Sequence, residues 1–139
     1  MIGILVISHE PLGTSLIHCT RHIFGRMPPQ LAALDVIPDE DPDAACRAAR
    51  ELLSRINDGS GVLVLTDIYG ATPSRIASNL AELYRVVVVA GVSLPMLVKA
   101  LNSRRSPLED LAEMLMTSAR NAIVEIAPRA NTEGGDAEG

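Results

Sequence analysis

His9 and Asp67 are the residues of this sequence best suited to carry chemistry, because each stands where a run of apolar residues ends. His9 follows Ile2–Ile7 and Ser8 in GILVISHE, and Asp67 follows Gly61–Thr66 in GVLVLTDIYG. A neutral imidazole is a nucleophile through the nitrogen that keeps its lone pair. The other nitrogen must carry the proton and be held by an acceptor, a role suited to a carboxylate. That carboxylate also stabilises the positive charge that grows on the ring as phosphorus is attacked. Just beyond Asp67 lies GATPSR, Gly70 to Arg75. Gly70 lets the backbone turn closely, Thr72 can cap a helix, Pro73 suits its first position, and the N–H groups at such a start favour an anion. A phosphate seated there would take N–H bonds and one from the Thr72 or Ser74 hydroxyl. Together the pieces can accept a phosphoryl group and pass it on, with no metal or cofactor required.

Taken singly, each piece has an ordinary use. A histidine at a strand end can be a surface hydrogen-bonding residue, TDIYG has the composition of a turn, and Thr72-Pro73 can be a plain helix start. GATPSR is not a Walker loop, since no GK[ST] follows, and the sequence contains no GxGxxG. His18 and His22 are four apart beside Cys19, a spacing that can hold a metal. They lack a third ligand signal and read as helix surface. Asp67 also stands where a receiver domain would carry its acceptor aspartate, but such a domain needs an acidic cluster after the first strand. Only Glu10 is there.

The elements that must position these residues are legible from hydrophobic pattern. Ile2–Ile7, Leu31–Ile37, Gly61–Thr66 and Val86–Ala90 are short, continuous apolar runs rich in β-branched residues. Strands buried on both faces of a parallel sheet read this way. The second run carries Asp35 and is the weakest of the four. Between the runs, helical stripes start at Leu12, at Asp41-Pro42, at Thr72-Pro73, at Leu94-Pro95 and at Ser106-Pro107. Strand–helix alternation with short connections implies a doubly wound α/β domain. Ligands of such sheets bind beyond the carboxyl ends of the strands, where strand order reverses. If the first and third strands are neighbours, His9 and Asp67 emerge there side by side. Ile123, Val124 and Ile126 fit either an extension of the last helix or a small strand.

A chain of 139 residues forms one domain and buries about two-thirds of its unfolded surface. Aromatic residues are 2% of the sequence, with no Trp, which argues against stacking on nucleic-acid bases. The formal charge is −5, and the last nine residues carry three acidic groups and no basic one, leaving −2 on Met1 to Ala130. No basic block is present to bind nucleic acid or an anionic membrane. Cys19 and Cys46 form no CxxC or zinc spacing. With no leader-like start and no membrane-length apolar run, no membrane insertion is expected, and the expected location is the cytoplasm.

Three motifs, GILVISH, GVLVLTDIYGATPS and AGVSLPMLVKAL, resemble in order and spacing the mannose-type IIA proteins of the bacterial phosphoenolpyruvate:sugar phosphotransferase system, the mannose/fructose/sorbose group. The resemblance extends from Met1 to about Ile126. It implies that His9 is phosphorylated by the phosphocarrier protein HPr, that Asp67 is its hydrogen-bond partner and that Thr72 contacts the phosphate. It implies a homodimer, to which a C-terminal antiparallel edge strand contributes, with Ile123–Ile126 as the candidate. The onward acceptor would be a IIB component, expected as a separate protein, and finally a sugar entering the cell. A stand-alone regulatory module of the same type, or the phosphotransfer subunit of a dihydroxyacetone kinase, are the alternatives. This sequence departs from the family in having Glu10-Pro11 where glycine usually follows the histidine.

The expected fold is therefore α/β, a doubly wound sheet of four parallel strands in the order 2-1-3-4 with helices on both faces. The expected boundaries are a phosphotransfer domain over 1–127 and a disordered acidic tail over 128–139. The expected site is catalytic His9 and Asp67, with Gly70, Thr72 and Ser74 binding phosphate.

Overall fold

The computed structural model describes residues 1–127, so the expected acidic tail lies outside the described residues. Four strands, β1 (Gly3–His9), β2 (Leu31–Val36), β3 (Val62–Thr66) and β4 (Val86–Ala90), alternate with α1 (Leu12–Phe24), α2 (Pro42–Ile56), α3 (Thr72–Leu80) and α4 (Leu94–Asn102). A fifth helix, α5 (Leu108–Asn121), follows α4 directly. All pairings are parallel, and the strand order is β2-β1-β3-β4, as the sequence predicts.

The continuous apolar runs have the expected physical cause. Side chains alternate across a strand, so a strand covered on both faces must be apolar at every position. Ile4, Val6, Leu63 and Leu65 face a core layer with Leu97, Leu111 and Leu115 from α4 and α5. Leu5, Ile7, Val62 and Val64 face the opposite layer, made by Ala45, Ala49 and Leu53 of α2 and Ile76, Ala77 and Leu80 of α3. Each fully buried Leu or Ile contributes about 1.5–3 kcal/mol relative to exposure, so this two-layer core is what holds β1 and β3 together.

Asp35, which weakens the apolar pattern of β2, caps a helix from outside. Its carboxylate accepts from the Thr14 N–H at 3.2 Å and the Thr14 hydroxyl at 2.6 Å. The residue at the α1 cap position, Pro11, supplies no side-chain cap bond. Asp35 therefore satisfies one of the orphan N–H groups of the first turn from the neighbouring strand. Gly13 makes this approach possible: a Cβ there would stand 2.8 Å from Asp35 Oδ1 and 3.0 Å from Ser8 Oγ. With Gly13 against the sheet, α1 buries Gly13, Leu16, Ile17 and Thr20. Of the residues that recur at helical spacing, Leu12, Leu16, Cys19, Thr20 and Ile23, the inner two (Leu16 and Thr20) are buried, whereas Leu12, Cys19 and Ile23 are exposed.

Helix starts follow proline, with adjustments of the cap position. Asp41 caps α2 through Asp43 N–H with Pro42 in the first turn, and Ser93 caps α4 through Met96 N–H. In α5 the proline itself, Pro107, is the cap residue. No fifth strand forms among the described residues. Residues 123–127 have no regular structure, and the Ile123 N–H turns back to donate to the Arg120 carbonyl at 3.3 Å. A strand needs a neighbouring edge to pair with, and this segment has none within the chain among the described residues.

Candidate functional site

The reversal of strand order falls between β1 and β3, and His9 and Asp67 both emerge there. β1 and β3 run in register from Gly3↔Val62 to Ile7↔Thr66, which carries Asp67 one step beyond the paired region. The strand ends are pinned on both sides. The Glu10 N–H donates to the Val36 carbonyl at 3.1 Å, and the Gly91 N–H donates to the Asp67 carbonyl at 2.9 Å.

Asp67 Oδ2 accepts from the His9 backbone N–H at 2.9 Å and lies 2.8 Å from His9 Nδ1. Its other oxygen accepts from the Ile68 N–H at 2.8 Å. The carboxylate is nearly enclosed, with 9% of its side chain exposed, whereas the imidazole is 51% exposed. Burial opposes ionisation of Asp67. The bonds from the His9 N–H, the His9 ring and the Ile68 N–H, together with the ring's charge, outweigh it and hold the carboxyl below its ordinary value of 3.8. An ionised carboxylate only accepts, so the Nδ1 of a neutral ring must carry the proton and Nε2 keeps its lone pair. Nε2 has no protein hydrogen-bond partner among the described residues.

His9 opens onto a cavity of about 570 Å³ whose walls include Pro38, Cys46, Thr72, Arg75 and Asn79. The α3 start forms one wall of it. Ala71, not Thr72, is the cap residue, and Pro73 falls in the first turn beyond Thr72. The Thr72 hydroxyl is therefore not engaged in capping. It accepts from Arg75 Nη2 at 3.2 Å, while Arg75 Nη1 donates to the Gly70 carbonyl at 3.1 Å. Ser74 is buried, and its hydroxyl oxygen accepts from the Gly70 N–H at 3.2 Å. Thus Thr72 shares the His9 cavity, whereas Ser74 and Gly70 are tied to one another and close the loop. Gly70 itself has φ 89°, a backbone state that favours glycine.

Arg75 is a cation beside the site to which sequence reasoning gave no role, although it closes the GATPSR motif. Its spacing three residues after Thr72 on one helix face was the available signal. Thr66, the last residue of β3, is also unanticipated: its hydroxyl is buried without a hydrogen-bond partner among the described residues. His18, Cys19 and His22 stay on the exposed face of α1, and no metal-binding cluster of His, Cys, Asp or Glu occurs among the described residues. Nor is any helix among them long and apolar enough to cross a membrane.

A family described as the PTS system fructose IIA component matches residues 3–125, in agreement with the resemblance read from the three motifs. The chain is similar to the PTS system fructose-specific EIIA component of Bacillus subtilis (strain 168), at 30% identity over 125 residues, covering 88% of this chain and 85% of that protein. It is 24% identical over 125 residues to the PTS system mannose-specific EIIAB component of Escherichia coli (strain K12). That similarity takes in 88% of this chain but only 38% of the relative. Among solved structures, phosphotransferase system component EIIA from Streptococcus agalactiae superposes with a TM-score of 0.80 at 26% identity, over 90% of this chain and 97% of that one. The mannose/sorbose specific IIA subunit from Enterococcus faecalis shares the fold, with a TM-score of 0.83 at 22% identity over 94% of this chain and 98% of that one. The matched span contains both strand ends and the whole α3 start, and by it the chain belongs to the PTS system fructose IIA component family.

Proposed function

We propose that the chain is a phosphohistidine carrier in which His9 Nε2 accepts a phosphoryl group from HPr and passes it to a IIB component for sugar uptake. The observation that carries this reading is the 2.8 Å contact of Nδ1 with a buried carboxylate beneath a half-exposed ring. The contact fixes the tautomer, so the nucleophilic lone pair is always on the outward nitrogen. As the bond from Nε2 to phosphorus forms, the bond to the donor's leaving atom breaks and its electron pair stays with the donor. Asp67 stabilises the positive charge that develops on the ring. Thr72 and Arg75, on the other wall of the cavity, offer a hydroxyl and a positive charge to the phosphoryl oxygens. Passing the group on is the same step in reverse, with the acceptor's nucleophile taking the phosphorus.

The surroundings suit a protein donor. Ile68 and Tyr69, on the loop after Asp67, are 62% and 86% exposed, and Glu10 and Ile37 line the cavity. Apolar side chains exposed around a reactive group mark a docking face. We further propose that the protein is a homodimer, since Ile123, Val124 and Ile126 are also exposed beside α5. The carrier reading is tested with HPr phosphorylated by phosphoenolpyruvate and enzyme I. The chain should become labelled, and a purified IIB component should then discharge it. A chain that stays unlabelled by phospho-HPr contradicts the proposal.

A further inference from the structure

Arg104 lies at the amino-terminal end of the sheet, opposite His9, and is 6% exposed. Its guanidinium donates from Nε to the Ile2 carbonyl at 2.8 Å, from Nη1 to that of Pro29 at 2.6 Å and from Nη2 to that of Gln30 at 2.7 Å. All three acceptors are neutral, and no carboxylate forms an ion pair with Arg104 among the described residues. Among the described residues, the carboxylate that favours its charge from a distance is Asp58. Asp58 is already bonded to the Met1 amine at 2.7 Å and to the Ser60 N–H at 3.0 Å. A buried cation held only by dipoles keeps most of its charge uncompensated, an arrangement that favours a counter-ion.

Arg104 lines a cavity of about 530 Å³ together with Arg85, Arg105, Ser60, Ser106 and Leu108, at the start of α5. Arg85 donates from Nε and Nη2 to the Ser60 carbonyl at 3.2 and 3.1 Å. Arg105 is exposed. The acidic residues of the first α5 turn, Glu109 and Asp110, line a different groove, with Lys99. Three guanidinium groups thus border one cavity whose nearby carboxylate is engaged elsewhere.

We propose that this cavity is a second binding site, for a small phosphate-bearing anion. Guanidinium forks match the oxygens of phosphate and bind them in pairs. Arg104 is held rigid by its three carbonyl bonds, so its remaining N–H groups are already oriented. Arg85 and Arg105 are the arms that close on the ligand, and the Ser60 and Ser106 hydroxyls add neutral donors. The seven residues of β1 separate this cavity from His9 by about 20 Å, so one phosphate cannot touch both. The inference therefore stands apart from the role given to His9.

The test is an amide NMR titration at constant ionic strength with inorganic phosphate, pyrophosphate and glycerol phosphate. Saturable shifts at Ser60, Arg85, Arg105 and Ser106 are expected with at least one probe. Response to glycerol phosphate assigns the site to phosphate esters, and response to pyrophosphate or phosphate alone assigns it to the free ions. Arg85→Gln and Arg105→Gln, both at exposed positions, should each weaken the binding read from the Ser60 and Ser106 shifts by about tenfold. Absence of saturable shifts up to about 10 mM of every probe, or wild-type affinity in both arginine variants, overturns the proposal.

Discussion

Asp67 Oδ2 accepts twice from His9, from its backbone N–H and from its ring, at 2.9 and 2.8 Å. One oxygen thereby fixes both where the histidine's backbone sits and which nitrogen of its ring faces outward. Removing it should separate the chemistry from the fold. Asp67→Ala should keep the far-UV circular dichroism of the wild type while slowing phosphorylation of His9 by on the order of 100-fold or more, since the tautomer is no longer fixed. A rate within a factor of about two of wild type would show that the ring needs no such partner.

The same pair makes stability depend on pH. Asp67 is held below its ordinary 3.8 in the folded chain, so between the folded and unfolded values the unfolded chain binds more protons. Its contribution is complete above the unfolded value and is lost as pH falls through the folded one. The difference in unfolding free energy between wild type and Asp67→Asn should be constant from neutrality to about pH 5 and narrow below about pH 4. Urea titrations across that range measure it. A difference that stays constant down to pH 3, or narrows only on the alkaline side, is the contrary result.

Arg104 ties the loop before β2 and the start of β1 together through three carbonyls. Arg104→Met leaves those acceptors without their charged donor and should lower stability by on the order of 3 kcal/mol. Thermal or chemical denaturation would read this directly, and a loss below about 1 kcal/mol would mean that solvent replaces the guanidinium at little cost.

Thr66 offers a prediction of opposite sign. Its hydroxyl is buried without a partner among the described residues, so Thr66→Val removes an unsatisfied group and should raise stability by about 1 kcal/mol. The same denaturation measurement decides it, and a clear loss of stability would reveal a partner for the hydroxyl.

Ile123 and Val124 are 84% and 70% exposed, which suits a segment that pairs with a second copy. Sedimentation should find a dimer in the wild type and a shift towards monomer in an Ile123→Ser, Val124→Ser double variant. A wild type that sediments as a monomer at every concentration removes the dimer.

Much of this architecture was legible because the pattern admits few alternatives. Four apolar runs separated by proline-started helices can hardly be other than a covered parallel sheet, and such a sheet delivers the ends of its central strands to one edge. His9 and Asp67 could be paired on that ground. Tertiary contacts decided what the pattern could not. Asp35 looked like a flaw in a strand because its partner, Thr14, belongs to another element. The buried face of α1 is set by the fit of Gly13 against Asp35 and Ser8, so Leu16 and Thr20 of the helical stripe are buried while Leu12, Cys19 and Ile23 fall outside that face. Ser74 looked equivalent to Thr72, yet a helix start one residue earlier turns it inward, onto the Gly70 N–H. Arg75 carried no signal of its own beyond its place one turn into α3.

The most direct measurement is nitrogen-15 and phosphorus-31 NMR of the chain after incubation with phosphoenolpyruvate, enzyme I and HPr. One acid-labile, base-stable phosphate should appear on Nε2 of His9, with the proton retained on Nδ1, and His9→Ala should carry none. Phosphate that persists in His9→Ala, or that is found on Nδ1, would contradict the geometry assigned to the pair.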